Sequence, residues 1–347
     1  MNPSDIPSGI NRRTFIQTSA ASLAAAALHG KTAQAQEAGR ALDRRHEVDG
    51  MPYQKLGRTN FMSSRLVFGC GAALAGGKAV RLLDRALEAG INFYDVGSNV
   101  YYKGSEQHLA PFMKANRDAI WVTSKAPVRP PEGHTPGAPL TVEQGKEVAQ
   151  YWTGLLENSL KDLDTDYVDA YYLMAVGEPA IVRSEEVYQA FLDAKQAGKV
   201  GHFGVSTHKQ AQQVLEAMIE TGWYDLAMVA ITPAGWYDWD SKSILTGTAS
   251  MRDLRPVLDR ARDAGIGLVG MKAARFMASP GAGGKNDATA FDGFYDQRAL
   301  DAPLTPFQRS YAYVLSNGMD VVNSDMQNFE HFEANLSAVK EAPRYFT

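Results

Sequence analysis

Between positions 66 and 323, short runs of consecutive apolar residues alternate with longer stretches in which apolar residues recur every three or four positions. The first kind reads as buried strands and the second as amphipathic helices. The pattern predicts strands at 66–68, 91–95, 120–125, 168–174, 200–206, 226–231, 268–272 and 321–323, each followed by a helical stretch. A glycine repeatedly closes the helix before the next strand, at Gly90, Gly198, Gly222, Gly265 and Gly318. Glycine takes the left-handed conformation past a helix end at little cost, so each marks a stop. Strands alternating with helices imply a parallel sheet, and eight units in about 280 residues match a closed (β/α)8 TIM barrel. A doubly wound open sheet would want a third glycine in Gly69-Cys70-Gly71-Ala72-Ala73-Leu74, which lacks it.

The flanks read differently. Residues 51–64, with Leu56-Gly57-Arg58-Thr59-Asn60 at their centre, predict an N-terminal β-hairpin. Residues 36–50 are polar and charged and read as a linker, the barrel domain as 51–340, and 341–347 as a C-terminal tail. Residues 1–35 read as a signal peptide. Asn11-Arg12-Arg13-Thr14-Phe15-Ile16-Gln17 precedes an alanine-rich run at 20–28, and Ala33-Gln34-Ala35 offers small residues for cleavage. Paired arginines before a Phe-Ile pair resemble the twin-arginine signal, so the export machinery is an expected partner and the periplasm an expected location. The apolar run is too short for a stable membrane span.

Composition narrows the functional classes. A net charge of -4 without a basic stripe argues against a nucleic-acid surface. Cys70 is the single cysteine, which excludes an intramolecular disulfide and a cysteine-rich zinc site. No metal is expected. Export of an already folded chain also suits a noncovalent cofactor loaded before translocation.

In a barrel, chemistry sits where strands end. Asp95 ends the second strand, Lys125 the third, Met174 the fourth, Ser206-Thr207-His208 the fifth and Lys272 the seventh. Tyr101 and Tyr102 follow Asp95 closely. Three long segments follow strands, at 126–140, 232–250 and 273–304. The last two carry Trp236, Tyr237, Trp239, Phe291, Phe294 and Tyr295. Segments of this length are functional covers or disordered, and their aromatics either form an apolar substrate wall or pack the loops down.

Several of these stretches resemble the aldo-keto reductases. Ile91-Asn92-Phe93-Tyr94-Asp95, with a following tyrosine and Gly104-Ser105-Glu106, is similar to the segment bearing the family's catalytic Asp and Tyr. Trp121-Val122-Thr123-Ser124-Lys125 resembles the segment with its catalytic Lys. Ser159-Leu160-Lys161-Asp162-Leu163, Asp166-Tyr167-Val168-Asp169 and Gly204-Val205-Ser206 continue the likeness in order. The resemblance implies carbonyl reduction by hydride from NADP or NAD on a small-molecule substrate. A tyrosine donates the proton, Lys125 stabilises its phenolate, and Asp95 holds the lysine. The family's usual spacing from the aspartate falls on Val100, which makes Tyr101 the first choice. Counting back from Ser105-Glu106 makes Tyr102 the second.

The departures carry as much information. Where the family has histidine, Met174 follows Leu173, and a thioether donates no hydrogen bond. His208 and His134 are the candidate substitutes. Ser206 matches the serine on the nicotinamide carboxamide, while Thr207 replaces its asparagine neighbour, Met228 the carboxamide glutamine and Ile231 the stacking tyrosine. That last change gives up an aromatic contact of about 0.5–1.5 kcal/mol. Asn335, with Asn328-Phe329-Glu330, resembles the adenosine end, but Asn323-Ser324-Asp325-Met326 puts a carboxylate where a phosphate would lie. NADP or NAD therefore stays open. Lys272 resembles a lysine of exported members and is expected at the cofactor site, where it binds an anionic substrate, partners Asp95, or is neutralised by a loop carboxylate. Two other readings compete with the oxidoreductase: a degenerate barrel that only binds a small molecule, and a lyase or isomerase using Lys125 and Tyr101.

Overall fold

The structure, a computed structural model, describes residues 41–345, so the expected signal at 1–35 lies outside the described residues. The chain opens with an antiparallel hairpin of β1 (Tyr53–Lys55) and β2 (Met62–Ser64), joined through a 3-10 turn at Gly57–Thr59. Six parallel strands follow: β3 (Leu66–Gly69), β4 (Phe93–Asp95), β5 (Trp121–Pro127), β6 (Val168–Met174), β7 (Val200–Thr207) and β8 (Leu226–Thr232). A small hairpin, β9 (Gly235–Asp238) and β10 (Ser243–Ile244), precedes the last two parallel strands, β11 (Gly267–Met271) and β12 (Val321–Ser324). β12 pairs with β3 and β7 with β8, which closes the cylinder. The expected (β/α)8 barrel with its N-terminal hairpin is the observed fold.

Period-two alternation sorts each strand's side chains into two cores. Val67, Phe93, Trp121, Tyr172, Met228 and Val269 fill the cylinder, while Phe68, Tyr94, Val122, Tyr171, Phe203 and Leu268 pack outward against helices. Helix Val142–Asp162 is representative. Val148, Trp152, Leu155, Leu156 and Leu160 recur at helical spacing on its buried face, and a Thr141/Gln144 capping box starts it. All five glycines expected to stop helices have positive φ, Gly222 at 67° and Gly265 at 79° among them.

The end of the barrel where strands begin is built for stability. Leu56 and Phe61 from the hairpin plug it, with Phe61 stacked on Trp121 at 4.7 Å. Three aspartates there each accept a backbone N–H from the neighbouring strand. Asp169 takes Val122, Asp225 takes Phe203 and Asp320 takes Leu268. Each also pairs with arginine: Arg45 and Arg117, Arg58, and Arg262 respectively. A fixed carboxylate between adjacent strands pins the register that the apolar pattern sets.

Two expected boundaries are corrected. From residue 42 on, the stretch read as a linker belongs to the barrel's own compact unit. Arg45 reaches Asp169 and the Ile120 carbonyl, both at 2.8 Å, and Asp43 bridges to Phe61, so its charges are structural rather than solvated. The expected tail at 341–347 is, as far as residue 345, the last turns of helix Phe329–Tyr345, with Ala342 buried. Among the described residues no helix is long and apolar enough to cross a membrane.

Candidate active site

Alternation from Phe93 and from Trp121 turns Asp95 and Lys125 into the cylinder near the strands' carboxyl ends. Both are 3% exposed. Asp95 lies opposite Thr123 in register, so Lys125 stands one inward position higher. Its ammonium donates at 2.6 Å to both carboxylate oxygens of Asp95 and to the Val96 carbonyl. The Asn323 amide donates to Asp95 Oδ2, also at 2.6 Å. Burial pushes the Asp95 carboxyl above its usual range, and Lys125 and Asn323 pull against it. Those donors use a carboxylate's accepting capacity, so the group is an ammonium–carboxylate pair held at one point.

Of the two tyrosines, one joins the pair. The Tyr101 side chain is 55% exposed and points out of the mouth. Tyr102 lies in a slot whose walls are Gly71 and Gly97. A Cβ on Gly71 would come 2.7 Å from its Cε1, and a Cβ on Gly97 2.8 Å from its Cδ2. Its ring centroid is 6.0 Å from the Lys125 ammonium. Burial first, then the Asp95 charge, pushes its phenol well above the ordinary value. The order of preference read from the sequence is therefore reversed. The segment after Asp95 turns on Ser98, whose carbonyl accepts from both tyrosine amides, and the helix Ser105–Asn116 then fixes Tyr102 through Ser105 N–H to Tyr102 carbonyl at 2.8 Å.

The remaining strand ends give a mixed picture. Met174 is buried and faces inward as its alternation requires, offering no donor. His208 does reach the mouth, 5.9 Å from the Trp239 ring, but burial and then Lys272, Lys125 and Lys242 hold its pKa down to about 3. It is a neutral imidazole. His134 lies in the segment after β5, 3.6 Å from Glu178 and without a hydrogen bond from its Nε2. Lys272 follows β11 with φ 64°; its carbonyl accepts from Arg275 N–H, and its ammonium lies over the Trp239 ring with no ion pair or hydrogen bond among the described residues. Burial, with Arg275 next, lowers its pKa to about 7. It is not the partner of Asp95, whose contacts are Lys125 and Asn323.

The expected cofactor residues divide likewise. Ser206 is buried and faces inward on β7, and Met228 faces inward beside Asn323, its sulfur 3.7 Å from the Asn323 amide. Thr207 faces the other way, its hydroxyl donating to the Lys209 carbonyl at 2.7 Å. Ile231 lies in the outer core and pairs with Trp236 of β9, so the expected ring-covering role is corrected: its side chain never reaches the mouth. Asn335 is also corrected. Its amide donates to Ser324 at 2.7 Å, and Ser324 bonds Tyr311 at 3.0 Å, which commits it to structure. Ser206 on β7 and the apolar Met228, Ala230 and Met271 thus face the interior together near the strand ends. The adenosine end contributes no free side chain from Asn335.

The aromatic loops mostly pack. Trp236, Phe291 and Tyr295 are buried in the outer core. Tyr237 seats on the inner core and donates to the Gly283 carbonyl at 2.5 Å. Trp239 alone among them gathers charged side chains at the mouth. Asn323 is the residue that sequence reasoning missed. The signal was present, since two steps from inward Val321 puts a polar side chain inside at a strand end.

A closed parallel barrel with a lysine–carboxylate pair and a slotted phenol where its strands end is an architecture of the aldo-keto reductase kind. The model of the Aldo/keto reductase family matches residues 66–343, and the chain belongs to that family. Curated relatives from Bacillus subtilis (strain 168) are the uncharacterized oxidoreductases YqkF and YrpG. YqkF is 28% identical over 166 residues, 45% of this chain and 49% of its own. YrpG is 28% identical over 233 residues, 63% of this chain and 65% of its own. The matches thus span about half to two thirds of those relatives' lengths. Among solved structures, the aldo-keto reductase AKR11C1 from Bacillus halodurans, in its holo form, shares the fold at TM-score 0.59 and 21% identity, covering 83% of this chain and 91% of that one. The putative aldo-keto reductase PA4992 from Pseudomonas aeruginosa does so at TM-score 0.57 and 22% identity, covering 86% and 99%.

Proposed function

We propose that this chain transfers hydride between a nicotinamide dinucleotide and the carbonyl or alcohol group of a small molecule. The observation that carries the reading is the buried Lys125–Asp95 pair beside the Tyr102 ring. NADH or NADPH, when bound, supplies the hydride. Ser206 would hold its carboxamide, and Met228 and Ala230 would floor the ring. The protein's own contribution is the proton. Tyr102, its phenol raised above the ordinary value, stays protonated through the neutral range and donates to the oxygen that gains charge. Lys125 faces the phenolate that remains, Asp95 and the Val96 carbonyl fix Lys125, and Asn323 fixes Asp95. A phenol that stays protonated is in the form that carbonyl reduction requires.

Five tryptophans make nucleotide binding visible by fluorescence. Micromolar or tighter affinity for NADPH or NADH is expected. No response to either at millimolar concentration overturns the reading. A second reading, a barrel that binds a small molecule without turning it over, is favoured by Met228 and by the outward Thr207 and Ile231; it predicts that null titration. Export through the twin-arginine machinery to the periplasm is part of the proposal, supported by Arg12-Arg13 and the alanine-rich run after them. Replacing both arginines by lysine should leave the chain in the cytoplasm, and undiminished export sinks it.

A further inference from the structure

Three cations from two separate segments converge on one indole at the mouth. Trp239 lies in the turn between β9 and β10. The Lys242 ammonium is 3.0 Å from its ring centroid, the Lys272 ammonium 4.5 Å and the Arg275 guanidinium carbon 5.9 Å. Like charges this close repel, and a single ring face compensates them weakly.

Among the described residues no carboxylate makes an ion pair with them, and Asp325, Asp238 and Asp240 act on them only from further off. Asp240 is taken by Lys209, and Asp238 accepts from the Ser241 amide. Arg275 donates to the Ala282 carbonyl at 2.6 Å. Neither lysine's ammonium has an ion pair or hydrogen bond among the described residues. Asp325 faces Lys272 and Arg275 from the β12 side, but it bonds Gln327 and makes no ion pair with them. Both lysines also hold left-handed backbone, φ 50° at Lys242 and 64° at Lys272, which long side chains adopt at a cost. Positive charge is thus concentrated, half-buried and conformationally fixed opposite the Lys125–Asp95 pair.

We propose that Lys242, Lys272 and Arg275, gathered on Trp239, form an oxyanion site for a carboxylate or phosphate group on the substrate whose carbonyl meets Tyr102. The assignment to a substrate rests on the reductase reading above; the oxyanion site itself does not. The two sides of the cluster separate the possible sources of the anion. A phosphate of the dinucleotide lying on the β12 side meets the Asp325 carboxylate, whereas a group clamped from the β9–β10 side meets Lys242 and Trp239.

Inorganic sulfate is the probe, because its charge does not change across the neutral range. Titrating the full chain at low ionic strength, by tryptophan fluorescence and calorimetry, should give saturable binding. Lys242→Met and Lys272→Met should each weaken it about tenfold, the loss of one charge-assisted contact. Lys114→Met, on the far surface, should not change it. Lys242 lies in a surface turn, so that variant keeps the test valid if Lys272→Met fails to fold. Sulfate binding that is absent, or equal in both variants and wild type, overturns the site. Repeating the titration with saturating NADPH separates the sources: retained binding supports the substrate assignment, and displacement overturns it. With 4-carboxybenzaldehyde and benzaldehyde as a pair, Lys242→Met should raise the KM ratio of the charged to the neutral aldehyde about tenfold. An unchanged ratio refutes the substrate role. Intact sulfate binding with no aldehyde reduced at all would instead count against the reductase reading alone.

Discussion

Gly97→Ala is the most direct test of the Tyr102 slot. The added methyl would stand 2.8 Å from Tyr102 Cδ2, 2.9 Å from Cε2 and 3.1 Å from Lys125 Cγ. An ordinary contact needs about 3.5 Å, so the ring must shift by roughly 0.7 Å. Little room is left on the opposite side, where Gly71 backs the ring so closely that a Cβ added there would lie 2.7 Å from Cε1. The free direction is outward, away from the ammonium. A reacting group misplaced by about 1 Å costs on the order of 10²-fold in rate. The expected loss in kcat/KM is therefore about 10- to 100-fold, or about 1.4–2.7 kcal/mol of transition-state stabilisation. Overpacking should also lower stability by about 1–3 kcal/mol. The assay is steady-state reduction of a simple aldehyde, read beside a thermal melt. Gly154→Ala is the control, since its Cβ meets open space inside helix Val142–Asp162. It should keep full activity and gain about 0.5–1 kcal/mol. Because Gly97 acts through the phenol, its substitution should cost nothing further in a Tyr102→Phe background. Full activity in Gly97→Ala, or an undiminished penalty in the double variant, refutes the slot.

Four further outcomes follow from the same geometry. Tyr102→Phe should reduce kcat by at least about 10²-fold while Tyr101→Phe retains most of it, as expected for loss of a general acid; the opposite ranking in a kinetic comparison would restore Tyr101. Asn323→Leu removes a donor from the buried Asp95 carboxylate, so Asp95 should protonate at higher pH; the acid limb of the kcat profile should move up, and an unmoved limb counts against that positioning role. Asp169→Ala strands Arg45 and Arg117 and frees a strand N–H, costing about 3–5 kcal/mol in denaturant unfolding without touching the mouth; a change under 1 kcal/mol would remove the register role. Lys272, with a folded pKa of about 7 below its ordinary 10.5, carries charge only below about pH 7, so sulfate affinity should fall as pH rises through that value. Arg275, Lys242, Lys125, Asp325 and the neutral His208 face it. By linkage, the unfolded chain holds a proton there that the folded chain lacks between pH 7 and 10.5, so this group raises stability with pH across that window. A flat sulfate profile excludes Lys272.

What could be read from the chain alone tracks the range of the interaction involved. Strand positions and helix stops follow from nearest-neighbour periodicity and from glycine's freedom at positive φ, so both were legible to within a few residues. Asp95 and Lys125 were legible for the same reason, because a charge closing an apolar strand sits at an end that alternation turns inward. Alternation could have decided more. With Met228 and Ala230 inward, Ile231 must face out, and with Ser206 inward, so must Thr207; aligning positions with the family obscured that parity. Spacing from the strand runs across a variable turn and points to Tyr101, whereas the side chain nearer Lys125 is that of Tyr102. Its position is set from the other side, by the rigid start of helix Ser105–Asn116. The tail and linker were misjudged because polar residues such as Arg45 are exposed or buried according to partners more than 100 positions away, here Asp169.

The mouth is the least legible region, for a physical reason. Its content is a sum of charges from β5, β7, the β9–β10 turn and the segment after β11, and no local pattern links them. Lys272 is neutralised by an acid or left without one depending on where Asp325 and Asp240 turn, and they turn to Gln327 and Lys209. One imidazole makes the point independently. His208 was weighed as a stand-in for the histidine that Met174 replaces, yet burial beside Lys272, Lys125 and Lys242 keeps it uncharged down to about pH 3. A neutral imidazole can still donate one hydrogen bond to a carbonyl oxygen, but it adds no charge to stabilise the developing anion. Under the proposed function, the charge facing the reacting oxygen would come from Lys125 through Tyr102, since neither Met174 nor the uncharged His208 supplies one.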